Sequence, residues 1–169
     1  MTGGPVIGEG WAVLAAVSLG TAAGAVGRWQ LDRQVSAATS RQAPAPGSPH
    51  PARWQPAWGT VTVNALGCLL LGFLLAWAGA RGLLGCAQGV CHPTSPDGPV
   101  PEVLLALLAT GVCGGMTTMS AVAVQAAQSG RGRRAVAVLA VNAGAGLVSL
   151  AGGWAFLGWA LAALDGPLL

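Results

Sequence analysis

The chain has 169 residues, 53% of them apolar and only 8% charged. An ordinary soluble domain carries about 25% charged residues, so this composition, with a mean hydropathy of +0.62, excludes a disordered chain, a coiled coil and a nucleic-acid-binding domain. What remains is a membrane protein with most of its length in lipid. The net charge of +3 comes from eight basic residues, all of them Arg, against five acids. These arginines fall between apolar segments, where they set orientation and offer no nucleic-acid face.

Crossing the roughly 30 Å hydrocarbon layer takes about 20 apolar helical residues. Four segments qualify, at about 11–31, 58–80, 103–128 and 135–164. They predict an all-α integral membrane protein, one four-helix domain occupying residues 1–169. The first segment reads as a permanent span and not a leader, because residues 1–10 contain no Lys or Arg. Between the first two spans lies a Pro- and Ser-rich loop, 32–57, expected to be poorly ordered. A second loop, 81–102, holds Cys86, Cys91 and His92. The third connection is a short basic turn, Ser129 to Arg134.

Four spans put the first and third loops on one side, and the second loop with both termini on the other. Arg28, Arg33, Arg41, Arg53, Arg131, Arg133 and Arg134 belong to the first side, and Arg81 alone to the second. The positive-inside rule then makes the first and third loops cytoplasmic and both termini external. The expected location is the inner (plasma) membrane, crossed several times. On the external side Cys86 and Cys91 could form a disulfide. A metal site with His92 is disfavoured, since C-x4-C-H matches no standard zinc spacing. Cys68 and Cys113 lie within spans and read as small packing residues.

The membrane segments lack the groups that covalent chemistry or proton coupling needs. Glu9, Asp32, Asp97, Glu102 and Asp165 all lie at or beyond span edges, and neither histidine is inside one. No Ser–His pair, paired aspartates or phosphate-cradling loop is present, so the chain is not read as an enzyme. Uncharged polar groups are present and fall at helical spacings. Thr60 and Asn64 share a face of the second span. Thr110, Thr117, Thr118, Ser120 and Gln125 mark the third, and Asn142 and Ser149 form a stripe with Gly146 and Gly153 on the fourth. Such residues serve helix packing or line a polar path; for Asn64 both readings stand, since a buried amide in lipid is costly unless paired. The run from Gly111 to Thr118, with Gly114 and Gly115 adjacent, predicts a third helix broken near mid-membrane. A break of this kind is either a packing kink or an ion site made of main-chain groups.

Three of these motifs together resemble the Fluc/CrcB family of fluoride channels. Gly24-Ala25-Val26-Gly27-Arg28-Trp29 is similar to that family's GAxxRY, Gly59 to Gly67 to its GTLxVNxxG, and Gly111 to Ser120 to its GxxGGxTTFS. The resemblance extends in order over all four spans. It implies an antiparallel dimer with two narrow fluoride pores and a structural sodium ion at the dimer interface. The sodium would be held by the backbone carbonyls of Gly114 and Thr117. Asn64 would be the pore asparagine, Arg28 the arginine at the cytoplasmic end of the first span, and Thr118 and Ser120 would lie near the pore. A fluoride pore must replace water with N–H and O–H donors, which fits residues of these types.

The chain also departs from the family pattern. Met119 and Val122 stand where the family has two phenylalanines whose positive ring edges face the anion. There is no Tyr in the chain, and Asn142 substitutes for part of the polar track of the fourth span. The strong Arg bias conflicts with insertion in both orientations. It predicts pairing with a related subunit of opposite bias, a homodimer being the other possibility. The expected function is passive fluoride efflux across the lipid bilayer, protecting the cell from fluoride. The alternative is a non-conducting structural subunit of a heterodimeric channel. A small transporter for another ion is a third reading, disfavoured by the lack of intramembrane charge.

Overall fold

The structure is a computed structural model that describes residues 7–40, 58–87, 90–93, 103–130 and 132–164. Its membrane part is all helix. In chain order it runs α1 (Ile7–Ser40), α2 (Trp58–Ala80), the hairpin strands β1 (Leu84–Ala87) and β2 (Val90–Pro93), a π-helical segment α3 (Ala106–Cys113), a single turn α4 (Gly114–Met116), α5 (Met119–Gln128) and α6 (Arg133–Leu164). Among the described residues, four helical stretches are long and apolar enough to cross a membrane: Gly10–Thr39, Trp58–Ala80, Val103–Gln128 and Arg133–Leu164. The protein is therefore a multi-pass membrane protein.

Tryptophans mark the edges of the lipid layer. Trp11 and Trp29 stand 18 residues apart on α1, and Trp58 and Trp77 stand 19 apart on α2. At 1.5 Å per residue both separations come to about 28 Å, close to the hydrocarbon thickness. Indole rings favour the headgroup level, where one end is apolar and the other wet. Arg33 lies over the Trp29 ring at 5.6 Å, and Arg81 over the Trp77 ring at 5.7 Å. Each pair places a cation just beyond its ring, at opposite ends of the bundle.

Two elements differ from the sequence expectation. α1 does not stop at residue 31 but continues to Ser40, so the first part of the segment assigned to the Pro-rich loop is helical. The reason is local. Residues 32–40 contain no Gly or Pro, the first proline being Pro44, and Thr39 ties its hydroxyl back to the Val35 carbonyl at 3.0 Å. The second difference is the antiparallel hairpin in the 81–102 loop, with Cys86 opposite Cys91 in register. It is entered through Gly82, whose φ of 65° is a left-handed value that glycine adopts freely. The disulfide that Cys86 and Cys91 could form concerns side chains outside the described residues, and the rest of the Pro-rich loop also lies outside them.

Close helix packing rests on glycines. On α1, Gly20 and Gly24 are one turn apart, and Gly111 and Gly115 repeat that spacing on the third span. The two pairs face each other. A Cβ on Gly111 would lie 2.8 Å from the Gly20 Cα, one on Gly115 would lie 2.5 Å from the Thr21 carbonyl oxygen, and one on Gly24 would collide with the Val112 carbonyl oxygen. Backbones thus meet without side chains between them, the arrangement small-xxx-small motifs permit in lipid. α2 and α6 pack in the same way through Gly72 and Gly153, where a Cβ on Gly153 would reach 2.5 Å from the Leu69 carbonyl oxygen. Gly24→Ala is expected to destabilise the fold by about 2 kcal/mol, a typical overpacking cost. Gly27→Ala, on the same helix with nothing within 4 Å of the new Cβ, should be neutral or slightly stabilising. Thermal unfolding of the two variants in detergent, followed by gel filtration, checks the contrast.

Candidate functional site

The third span is broken where the glycine run predicts. Thr117 (φ −76°, ψ 143°) and Thr118 (φ −147°, ψ 117°) are extended between α4 and α5. In an unbroken helix the Thr118 N–H would bond the Gly114 carbonyl, and the Ala121 N–H would bond that of Thr117. Here both donors go elsewhere. The Thr118 N–H donates to Asn64 Oδ1 at 2.9 Å, and the Ala121 N–H to Thr118 Oγ1 at 3.4 Å. The break therefore releases the Gly114 and Thr117 carbonyls from their helical donors, while side chains take over the amides. The preceding π-helical segment α3 is a rare form that recurs near functional sites.

Asn64 on α2 is the hub of this region. It is 8% exposed, and Asn142 on α6 is 6% exposed. Asn64 Nδ2 donates to Asn142 Oδ1 at 3.3 Å, and Asn142 Nδ2 donates to the Val138 carbonyl at 2.9 Å. The Thr118 and Ser120 hydroxyls share a hydrogen bond of 2.9 Å. One turn toward the start of α2, Gln125 Nε2 donates to the Thr60 hydroxyl. Among the described residues no buried side-chain nitrogen or oxygen lacks a partner, so the amides are held in place by defined bonds.

Two cavities meet at this hub. The first, about 500 Å³, is lined by Arg28, Trp29 and Asp32 of α1, Thr60, Val63 and Asn64 of α2, and Thr118, Ser120, Ala121, Val124 and Gln125. It lies at the end of the bundle that carries the first and third loops. The second, about 750 Å³, is an open groove whose lining includes Asn64, Cys68, Cys113, Gly114, Thr117, Thr118, Met119, Val122, Asn142 and Gly146. Asn64 and Thr118 line both. They form the partition between a polar mouth and a mostly apolar groove.

Every residue assigned from the sequence to the anion path or the sodium site lines one of these cavities. Arg28 and Ser120 belong to the first, Asn64 and Thr118 to both, and Gly114, Thr117, Met119, Val122 and Asn142 to the second. Met119 and Val122 are not equivalent. Met119 is 76% exposed on the groove side, whereas Val122 is 1% exposed and packs with Ala126, Val138 and Ala135 between α5 and α6. The sequence reading did not place Asp32, Thr60 or Gln125 in the site. Thr60 and Gln125 were visible as polar residues in apolar spans. For Asp32 the signal was its place one helical turn from Arg28.

A family model described as "CrcB-like protein, Camphor Resistance (CrcB)" matches residues 15–159, which reach from the first span into the last. The chain belongs to the CrcB family. That family consists of channels and not enzymes, in keeping with the absence of catalytic groups from the spans. Among curated proteins, the chain is 38% identical to "Fluoride-specific ion channel FluC 2" of Thermobifida fusca over 80% of its own length and 87% of the relative's. It is 33% identical to "Fluoride-specific ion channel FluC 1" of Corynebacterium jeikeium over 66% of each chain. It is also 36% identical to "Fluoride-specific ion channel FluC" of Xanthomonas euvesicatoria over 57% of this chain and 62% of the relative. The last two alignments cover just under two thirds of the relatives' lengths. The CrcB match includes all three motif regions noted in the sequence.

Proposed function

We propose that this chain is a subunit of a fluoride channel through which fluoride leaves the cell passively, down its electrochemical gradient. The observation that carries the reading is the junction of two cavities at Asn64 and Thr118. A small, strongly hydrated anion gives up water only where N–H and O–H groups replace it. Asn64, Thr118, Ser120, Thr60 and Gln125 supply such groups in sequence; among the described residues Asp32 lines the first cavity beside Arg28, and no carboxylate lines the groove. Arg28 at the mouth concentrates anions there. The relatives' printed names, each a fluoride-specific ion channel, support the same substrate. Efflux would protect the cell from fluoride toxicity.

The groove is open along α2, α4 and α6, so a second subunit would complete the path. The Arg bias supports a cytoplasmic side for the first and third loops and an external side for both termini. A partner inserted the other way would then be a related chain of opposite bias, giving a heterodimer in place of an antiparallel homodimer. A structural sodium fits the donor set at the break. The Gly114 and Thr117 carbonyls have lost their helical donors, and hard cations take oxygen ligands, main-chain carbonyls among them. These two residues would hold the ion, which would supply fixed positive charge at the subunit interface.

Fluoride efflux from liposomes containing the purified chain, read by a fluoride electrode beside a chloride control, tests the reading. Fast efflux of fluoride and not chloride is the expected result for the complete channel, and from this chain alone it would overturn the heterodimer in favour of a homodimer. Equal efflux of both ions would overturn selectivity for fluoride. No efflux from this chain alone, with efflux restored by a related subunit of opposite Arg bias, would support the heterodimer, and flux gained when Met119 and Val122 are both changed to Phe would assign this chain the structural role. That role is favoured by Val122, which is enclosed between α5 and α6 and offers no aromatic edge to a path.

A further inference from the structure

We infer that Asn142 is a positioning residue, whose work is to fix which end of the Asn64 amide faces the path. The inference rests on the fluoride-path reading for its functional consequence and on the hydrogen bonds alone for its geometry. An Asn carboxamide has one accepting and one donating end of nearly equal shape, and either could face a given neighbour. Here the two outer partners remove that freedom. At one end of the relay is the Val138 carbonyl, which can only accept, so Asn142 must present Nδ2 to it at 2.9 Å. At the other end is the Thr118 N–H, which can only donate, so Asn64 must present Oδ1 to it at 2.9 Å. Both constraints give the same polarity in the middle, where Asn64 Nδ2 meets Asn142 Oδ1 at 3.3 Å. Turning either amide over would set donor against donor or acceptor against acceptor.

This polarity matters for an anion. With its oxygen committed to Thr118, Asn64 keeps one Nδ2–H beyond the bond to Asn142, and that donor is the end an anion can use. Reversed, the amide would turn its oxygen to the path and repel the anion, and the Thr118 N–H at the break would lose its acceptor. Asn142 thus acts through Asn64 and need not touch the permeating ion. Its place on α6 also ties the polarity of the partition to the α2–α6 packing, in which Gly146, one turn along from Asn142, meets Cys68 of α2.

Two variants and two readouts test this. Asn142→Leu has nearly the same shape and no polar end. Asn142→Thr keeps a hydroxyl that can donate to the carbonyl four residues back, a common helical back-bond, while accepting from Asn64. Hydrogen–deuterium exchange of the Thr118 amide is expected to quicken at least about tenfold in Asn142→Leu and stay near wild type in Asn142→Thr, as follows when loss of a relay partner loosens a buried bond by about 1.4 kcal/mol. Fluoride efflux should fall in Asn142→Leu and be largely retained in Asn142→Thr. Unchanged Thr118 exchange in a folded Asn142→Leu protein would overturn the positioning role. So would equal exchange in both variants. If wild-type protein carried no fluoride even with a related subunit of opposite Arg bias present, while the exchange contrast held, the path reading would fail and the relay would stand.

Discussion

Asn64→Leu is expected to lower fluoride efflux by about a hundredfold. The substitution removes the donor that replaces water at the partition between the two cavities. A hydrogen bond to a charged partner contributes roughly 1.5–3 kcal/mol, and the upper part of that range corresponds to about a hundredfold in rate. The same change removes the acceptor of the Thr118 N–H. An orphaned buried amide costs about 1–3 kcal/mol, so the melting temperature should also fall. Efflux from liposomes and thermal unfolding of the same preparation separate the two effects. Dividing efflux by the folded fraction of that preparation corrects for activity lost through unfolded protein, but not for conduction lost from each folded molecule. A folded Asn64→Leu protein with wild-type efflux would remove Asn64 from the path.

Arg28→Gln and Asp32→Asn should move efflux in opposite directions. Both residues line the first cavity, one helical turn apart on α1, so a cation and an anion share the mouth. A unit charge some 8 Å from a permeating anion at an intermediate effective dielectric acts with about 1 kcal/mol. Removing Arg28 should reduce efflux about fivefold, and removing the Asp32 charge should raise it about fivefold, by changing the local anion concentration. The two variants then differ by about twenty-five-fold at low ionic strength, and the difference should shrink as salt screens the mouth. Asp32→Asn retains a side-chain oxygen in contact with Gly59 at the start of α2, so its packing is preserved. Efflux measured across a salt series checks both the sign and the screening. A salt-independent effect would point to altered packing of α1 on α2.

Much of this was legible in the sequence because lipid leaves few options. Four apolar stretches of spanning length could only be helices, and the glycine pair beside two threonines marked the break that the backbone shows at Thr117 and Thr118. Asn64 drew notice because an amide in lipid must find partners. What could not be read is which partners it finds. The bonds from Asn64 to Asn142 and Thr118 join residues 78 and 54 positions away, and no local pattern encodes them. The extension of α1 to Ser40 was missed for a different reason. Polarity marks the end of a span, but a helix needs no lipid to continue through residues free of Gly and Pro. The hairpin in the second loop hid among Gly and Pro residues that signal turns without fixing strand register.

The interruption of the third span also has an electrostatic consequence. Where one helix stops and another starts, the backbone presents both poles of the peptide macrodipole within a few residues. The carbonyl end of α4 is the negative pole, and the amide end of α5 is the positive pole. A single discontinuity can therefore attract a cation on one side and an anion on the other, with no ionised side chain present. Repairing it with residues that favour continuous helix would remove both attractions at once. Tolerance to substitution in the stretch from Gly114 to Thr118 should accordingly be far lower than its lack of charge suggests.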